Sequence, residues 1–212
     1  SYEEMIEMAS QGAKVLQTSS VESAIKHNVK IQVRSSFDPD NMGTLISEDV
    51  LNNENQAVTG VAYSKDEAKV TIIGLVDKPG IAATIFNSLS VKSINVDMIV
   101  QNNFIEREET NLTFTVPVTD LKQSLQVLEE LKSIIVFEKV ISEDNLSKVS
   151  IIGAGMRNQP GIAAKMFDCL SKNNINIEVI STSEIKISVL IDMAKTEVAV
   201  KSLHQIFELD KL

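Results

Sequence analysis

The apolar positions of the chain follow one pattern twice. The stretch KVTIIGLVDKPGIAA, which begins at Lys69, returns as KVSIIGAGMRNQPGIAA from Lys148, with two residues inserted before the Pro-Gly pair. The register continues beyond these stretches, because INVDMI from Ile94 matches INIEVI from Ile175. A period of about 80 residues is too long for a solenoid repeat and is typical of a duplicated small domain.

Both copies predict the same elements in the same order. Short β-branched runs ended by glycine indicate buried strands at 70–75 and 149–152. Each is followed by Pro-Gly, where proline is expected in the first helical turn, and by a helix with one apolar face. A strand pair and a second helix then complete each copy: strands 96–100 and 112–116 with helix 120–132, capped by Asp120, and strands 177–180 and 185–191 with helix 194–207.

This order becomes a ferredoxin-like βαββαβ unit once a fourth strand is added. The first copy has one at 134–141, whereas the second copy ends before another strand can form. The strand-like run at 57–63 has no other obvious partner, so we expect it to complete the second copy. The predicted fold is therefore α+β. Its first domain, 67–141, is inserted in a second domain made of 57–66 and 147–212.

Residues 1–56 have a different pattern. They predict a helix to about Leu16, a short helix at 21–27, a strand at 30–33 and a loop at 37–56 that is rich in Asp, Asn and Gly. An α/β segment of this size buries too little surface for a core of its own, so we expect it to belong to a neighbouring domain. Because the helix-like pattern starts at Ser1, we interpret the chain as cut from a larger protein.

Composition narrows the function. The chain has 212 residues, of which 43% are hydrophobic and 23% charged, as in a globular protein, and its formal net charge is -9. That charge disfavours nucleic acid and anionic membranes as partners. One cysteine, Cys169, allows no internal disulfide, and no apolar run approaches the roughly 18 residues of a membrane span. We therefore expect a cytoplasmic protein.

Several separated motifs resemble one family, the bacterial aspartokinases. The stretches SYEEM from Ser1, VRSSF from Val33 and GTLI from Gly43 are similar to the end of the catalytic domain. The stretches VTGVA from Val58, DKPG from Asp77 and ISTSEI from Ile180 are similar to the paired ACT domains. The resemblance covers essentially the whole chain.

The resemblance implies the regulatory portion of an enzyme that uses ATP and Mg²⁺ to phosphorylate L-aspartate to 4-phospho-L-aspartate. It implies lysine, threonine or both as effectors, and feedback control of their biosynthesis. The family's Lys-Phe-Gly-Gly-type phosphate loop is not found in this sequence. We therefore expect no catalytic residues, no cofactor and no kinase activity in this chain alone, with the catalytic kinase domain upstream or on another subunit. A natural, separate regulatory subunit remains an alternative to a cut chain.

The turn between the first strand and helix of copy one is the main candidate site. Backbone N–H groups of Gly80, Ile81 and Ala82 at a helix start would hold an amino-acid carboxylate. Asp77 would pair with the ligand's ammonium group, and Gly80 would allow a close approach. The candidates of this copy are Asp77, Lys78, Pro79, Gly80, Ile81, Ala82 and Gln101. The alternative is an ordinary strand-to-helix connection with a capping aspartate.

The second copy departs from this pattern, because Asn158 stands where the first copy has Asp77. We therefore expect it to contribute backbone and amide groups to a shared site across an interface. The candidates are Asn176, Ile177, Ser181, Thr182, Ser183 and Glu184. The simpler interpretation of 181–184 is a polar hairpin turn.

Other ferredoxin-like functions fit less well. RNA-binding versions need aromatic residues on the sheet and a basic surface, but aromatic residues make up only 4% of this chain. Metal carriers need paired cysteines, and no metal site is predicted. Open sheet edges favour pairing between ACT units, so we expect a homodimer.

Overall fold

The chain forms two compact units in a computed structural model that describes residues 1–48, 56–103 and 109–211. One unit contains residues 65–147 and is called here the first-copy unit. The other contains residues 1–64 and 148–212 and is called the second-copy unit. Each unit thus holds one copy of the repeat.

The described residues contain six α-helices and eight strands. The helices are α1 (Tyr2–Ser10), α2 (Thr18–His27), α3 (Ile81–Val91), α4 (Leu121–Leu131), α5 (Ile162–Lys172) and α6 (Thr196–Ile206). The strands are β1 (Ile31–Val33), β2 (Thr44–Ile46), β3 (Gly60–Val76), β4 (Ile99–Asn103), β5 (Glu109–Val116), β6 (Lys139–Ile152), β7 (Val179–Thr182) and β8 (Lys186–Asp192). No helix in the described ranges is long and apolar enough to cross a membrane.

In the first-copy unit the strands lie in the order β4-β5-β3-β6. Strands β3 and β5 are antiparallel, from the pair Ala68 and Val116 to the pair Ile72 and Leu112. Helices α3 and α4 supply apolar residues to the core, where the rings of Phe86 and Phe114 meet edge to face with centroids 5.6 Å apart. This alternation of buried β-branched residues with amphipathic helices gives the ferredoxin-like layer of helices on a sheet.

In the second-copy unit the order is β3-β6-β8-β7. The Thr59 N–H donates to the Ile152 carbonyl at 2.8 Å, so the chain before the first copy pairs with the second copy's first strand. Val58 packs in the same core as α5 and α6. Cys169 is buried there too, where burial, followed by the nearby Asp168 carboxylate, raises the pKa of its thiol.

Residues 1–48 pack as part of the second-copy unit. Helices α1 and α2 and the β1–β2 pair enclose a small cluster that contains Tyr2, Val21, Ala24 and Ile46. Gly12, with φ +106°, passes so close to Tyr63 that an added Cβ would lie 2.2 Å from its carbonyl oxygen. The absence of a side chain at Gly12 therefore allows the chain after α1 to pack directly on the backbone of β3.

The strands are longer than the sequence predicts. The run 70–75 and residues 60–63 of the run 57–63 are joined in the single strand β3, which begins three residues later than predicted. The predicted strand 149–152 is the end of β6, which begins at Lys139. The predicted domain boundaries at 66/67, 141 and 147 thus fall within these two strands, and the boundary at 57 lies before β3. No glycine or proline interrupts residues 64–69 or 142–148, so both strands continue through these polar segments, in which Glu67, Ser147 and Lys148 are buried.

The predicted strand 134–141 is wrong at its beginning. Gly74 has φ +66° and lies at a register shift between Ile72 and Leu75. Its missing side chain admits Glu138, whose Cβ would lie 2.9 Å from an added Cβ. The register shift is in the pairing of β3 with β5. On the other side of β3, residues 136 and 138 still bond to it, through the Val76 N–H to the Val136 carbonyl at 3.3 Å and the Glu138 N–H to the Ile73 carbonyl at 2.8 Å, but the regular strand starts only at Lys139.

Three local predictions are also wrong. Pro79 and Pro160 lie before their helices because Gly80 and Gly161 take left-handed N-cap positions with φ +95° and +91°. Asp120 is at the predicted N-cap position of α4, but its side chain makes no capping hydrogen bond, since its φ of -96° and ψ of -7° are helical rather than extended. The predicted loop at 37–56 contains β2, whose Ile46 pairs with Ile31.

Candidate functional site

Each copy has a cavity beside its strand-to-helix turn, and the two cavities are similar in volume, at about 500 and 510 Å³. In the first-copy unit it measures about 500 Å³, and we call it the first-copy cavity. All seven candidates from copy one line it, together with four other residues: Leu75, Val76, Thr110 and Leu112. The structure therefore brings Gln101 of β4 to the turn that carries Asp77.

The start of α3 shapes one side of the first-copy cavity. Gly80 has nothing within 4 Å of an added Cβ, so its backbone faces open space. The Ile81 N–H donates to the Lys78 carbonyl at 3.3 Å and is thus already engaged within the turn. Of the three N–H groups predicted to bind a ligand carboxylate, those of Gly80 and Ala82 therefore stay candidates.

The remaining walls combine polar and apolar groups. Asp77 and Lys78 are exposed at the rim, whereas Leu75 and Leu112 are buried beneath them. The Thr110 hydroxyl donates to the Asn102 carbonyl at 2.9 Å and fixes the adjoining strand. An exposed carboxylate, backbone N–H groups and an apolar floor suit a small zwitterion with a short aliphatic stem.

In the second-copy unit the corresponding cavity measures about 510 Å³ and is called the second-copy cavity. Thr182, Ser183 and Glu184 line it opposite the start of α5. They belong to the β7–β8 hairpin, where the Ser183 N–H donates to the Lys186 carbonyl at 2.8 Å. Three of the predicted residues of copy two therefore meet at one cavity, and they form the polar hairpin turn of the simpler interpretation.

The other three candidates of copy two do not line this cavity. The Asn176 side-chain amide donates to Glu178 at 2.8 Å on the exposed surface. Ile177 packs against the core, and Ser181 lies opposite Ser188 in the β7–β8 pair. Their predicted role at a shared interface stays a prediction.

Arg157 joins the two sides of the second-copy cavity. It lies in a 3-10 helix, Ala154–Asn158, in the part of the repeat lengthened by two residues. Its guanidinium group contacts Glu3 at 2.8 Å and Glu184 at 3.0 Å. Because two carboxylates already flank it, Arg157 ties segments of the protein together.

Glu4 is a buried carboxylate that the sequence prediction missed. Its Oε1 accepts hydrogen bonds from the Thr59 hydroxyl and from the Ala154 N–H, both at 2.9 Å. Burial on its own would raise the pKa of Glu4, but hydrogen bonds to its charged form, among them those from Ala154, Ser1 and Thr59, lower it from 4.5 to about 2. The spacing of Ser1 and Glu4 is a capping-box signal that predicts the local bonds but not the distant ones.

Comparisons with known proteins agree with this architecture. The ACT domain family matches residues 70–131 and 149–207. An aspartate kinase of Stutzerimonas stutzeri is 46% identical over 210 residues, which cover 99% of this chain and 50% of that protein. The chain thus spans about half the length of the curated relatives it matches.

Solved structures show the same fold. The ligand-free regulatory subunit of Thermus thermophilus aspartate kinase is 39% identical with a TM-score of 0.67, over 72% of this chain and 99% of that one. E. coli aspartokinase III in complex with lysine and aspartate is 26% identical with a TM-score of 0.74, over 96% of this chain and 44% of that one. The predicted fold class is confirmed, and the chain belongs to the ACT domain family as the regulatory region of an aspartokinase.

Proposed function

We propose that this chain binds lysine, threonine or both and thereby controls the phosphorylation of L-aspartate to 4-phospho-L-aspartate. The observation that carries the proposal is the convergence of Asp77, Gly80 and Gln101 on one cavity. The lysine complex of E. coli aspartokinase III supports an amino-acid effector for a protein of this fold. The reaction, with its ATP and Mg²⁺, belongs in this proposal to the whole cytoplasmic enzyme.

The first-copy cavity has suitable chemistry for the amino-acid head group. In the proposed mode, Asp77 accepts hydrogen bonds from the ammonium group, and the N–H groups of Gly80 and Ala82 donate to the carboxylate. The α3 dipole adds partial positive charge at the carboxylate end. The side chain of the effector would then lie toward Leu75 and Leu112, and its identity depends on the groups at the far end of the cavity.

Control requires more than binding. An effector shifts an equilibrium only if it binds one conformation of the protein more tightly than another, typically by 1 to 3 kcal/mol. We propose that pairing between ACT units of two chains supplies these alternative states, with a homodimer as the working assembly. Sedimentation at micromolar concentration tests the pairing, and a monomer with and without effector would contradict it.

Calorimetry on the chain tests the binding proposal. We expect lysine or threonine to bind the parent chain and to lose at least tenfold in affinity in Asp77→Asn, because the ammonium group loses its charged partner. Asp120→Asn is the matched control, since Asp120 is in the same unit but does not line the first-copy cavity. Equal affinity in parent and Asp77→Asn would refute the assigned role.

A separate regulatory subunit is the alternative function. The Thermus regulatory subunit covers only 72% of this chain, whereas the Stutzerimonas kinase covers 99% of it. The additional match favours a chain that operates within a complete kinase. Kinase assays on the polypeptide encoded by the whole gene decide the matter, because a separate subunit would show effector binding without aspartate phosphorylation.

A further inference from the structure

Helix α1 contacts both segments that form the rim of the second-copy cavity. On one segment, Glu3 pairs with Arg157 at 2.8 Å and Glu4 accepts from the Ala154 N–H at 2.9 Å. On the other, Glu7 pairs with Lys186 at 2.9 Å, at the base of the β7–β8 hairpin. Three carboxylates of one short helix therefore have three separate partners: Arg157 lines the cavity, and Ala154 and Lys186 lie in the same two segments beside the lining residues.

These contacts differ in their exposure to solvent. The side chains of Glu3 and Arg157 are 54% and 41% exposed, so water and salt screen their attraction. Those of Glu7 and Lys186 are only 26% and 20% exposed, and Glu4 is buried. Glu4 and Glu7 therefore form the strong part of the link.

The two rim segments also contact each other. The Arg157–Glu184 pair, at 3.0 Å, joins the 3-10 helix to the hairpin. Gly153 and Gly155 pack closely on the preceding backbone. An added Cβ at Gly153 would lie 2.1 Å from the Ala57 carbonyl oxygen, and one at Gly155 would lie 2.5 Å from the Gln56 carbonyl oxygen. Because the Glu184 side chain is 80% exposed, its pair with Arg157 is screened, and a displacement of the hairpin acts on α1 mainly through the Glu7–Lys186 pair.

We propose that α1 moves with the two segments at the rim of the second-copy cavity. Glu4 and Glu7 are positioning residues that couple a displacement of residues 154–158 or 183–186 to the helix. The device depends on the lengthened turn of copy two, which supplies Arg157. It adds to the proposed function a route by which an ACT unit communicates with residues that resemble the end of a kinase domain. It does not require that lysine or threonine bind.

Hydrogen–deuterium exchange on the chain tests this link in both directions. We expect Glu4→Gln to speed exchange of amides 154–158 and 183–186 about tenfold, because a buried charge-assisted bond is lost. Arg157→Gln should in turn speed exchange within α1. Glu22→Gln, an exposed change on α2, is the control and should leave both regions unchanged.

The α3 amides of the first-copy unit separate transmission from general destabilisation. Faster exchange at the rim with unchanged α3 supports the proposal, whereas a uniform increase in both units overturns it. Unchanged rim exchange in Glu4→Gln also overturns it. If Glu4→Gln does not fold, Glu7→Gln carries the same expectation for 183–186. The exchange experiment does not depend on lysine or threonine binding. The α1 proposal and the effector-binding proposal can therefore be refuted independently.

Discussion

Acid should weaken the second-copy unit through Glu4. Its carboxylate accepts hydrogen bonds from Thr59 and Ala154 while buried, and its pKa falls from 4.5 to about 2. A group with a lowered native pKa stabilises the fold fully at pH values above its unfolded pKa. That stabilisation is lost as the pH falls through the native pKa, because protonation then costs the bonds that the charged form accepts. Replacement by glutamine removes the titration.

The size of the effect follows from the two pKa values. As pH falls below 4.5, the unfolded chain binds a proton that the folded chain still excludes, and the free energy of unfolding decreases. Linkage gives a loss of about 2 kcal/mol by pH 3 and a limit of about 3 kcal/mol at lower pH. In Glu4→Gln this contribution to the pH dependence is absent.

Urea unfolding followed by tyrosine fluorescence measures the effect in the relevant unit. The chain has no tryptophan, and both tyrosines, Tyr2 and Tyr63, lie in the second-copy unit. We expect the stability difference between parent and Glu4→Gln to shrink by about 2 kcal/mol between pH 6 and pH 3. Glu3→Gln is the matched control on the same helix, and its difference should change by less than about 1 kcal/mol, as for exposed pairs. A difference for Glu4→Gln that is the same at both pH values would refute the assigned pKa and its cause.

The remaining predictions concern glycines. Gly80→Ala and Gly161→Ala should each lower stability by about 1 kcal/mol in thermal unfolding, since both φ values are left-handed and an added Cβ meets open space. Only Gly80→Ala should also weaken lysine or threonine binding; equal affinity in both variants would contradict the site. Gly12→Ala should cost the second-copy unit at least about 2 kcal/mol, because its Cβ would collide with the Tyr63 carbonyl. An unchanged urea midpoint for Gly12→Ala would show that this close approach is absent in solution.

The duplicated pattern was sufficient to predict the fold. Apolar periodicity reports which residues are buried, and burial of Ile72, Leu89, Val149 and Leu170 follows it. Strand limits were less predictable. The sequence of a single strand does not indicate whether a neighbouring strand continues the ladder, so the apolar pattern predicts shorter, separate strands in place of β3 and β6.

The turn residues of the first-copy cavity could be predicted because 77–82 lie together in sequence, whereas Thr110 and Leu112 reach the cavity only through strand pairing and were not predicted. Glu4 could not be predicted as a buried acceptor. Its Ala154 partner lies 150 residues away, and that contact depends on how α1 packs against a 3-10 helix that no periodic signal specifies. Long-range polar contacts of this kind need the tertiary structure.

The differences between the two copies suggest a division of roles. The first copy keeps a carboxylate, Asp77, at the turn where the second has Asn158. The second copy instead has a longer turn whose Arg157 contacts Glu3 of α1 and Glu184 of the hairpin. A turn held at both ends has less freedom to close around a ligand, but it can transmit a displacement. The same strand-to-helix connection would thus recognise an amino acid in one copy and connect to the neighbouring helix in the other.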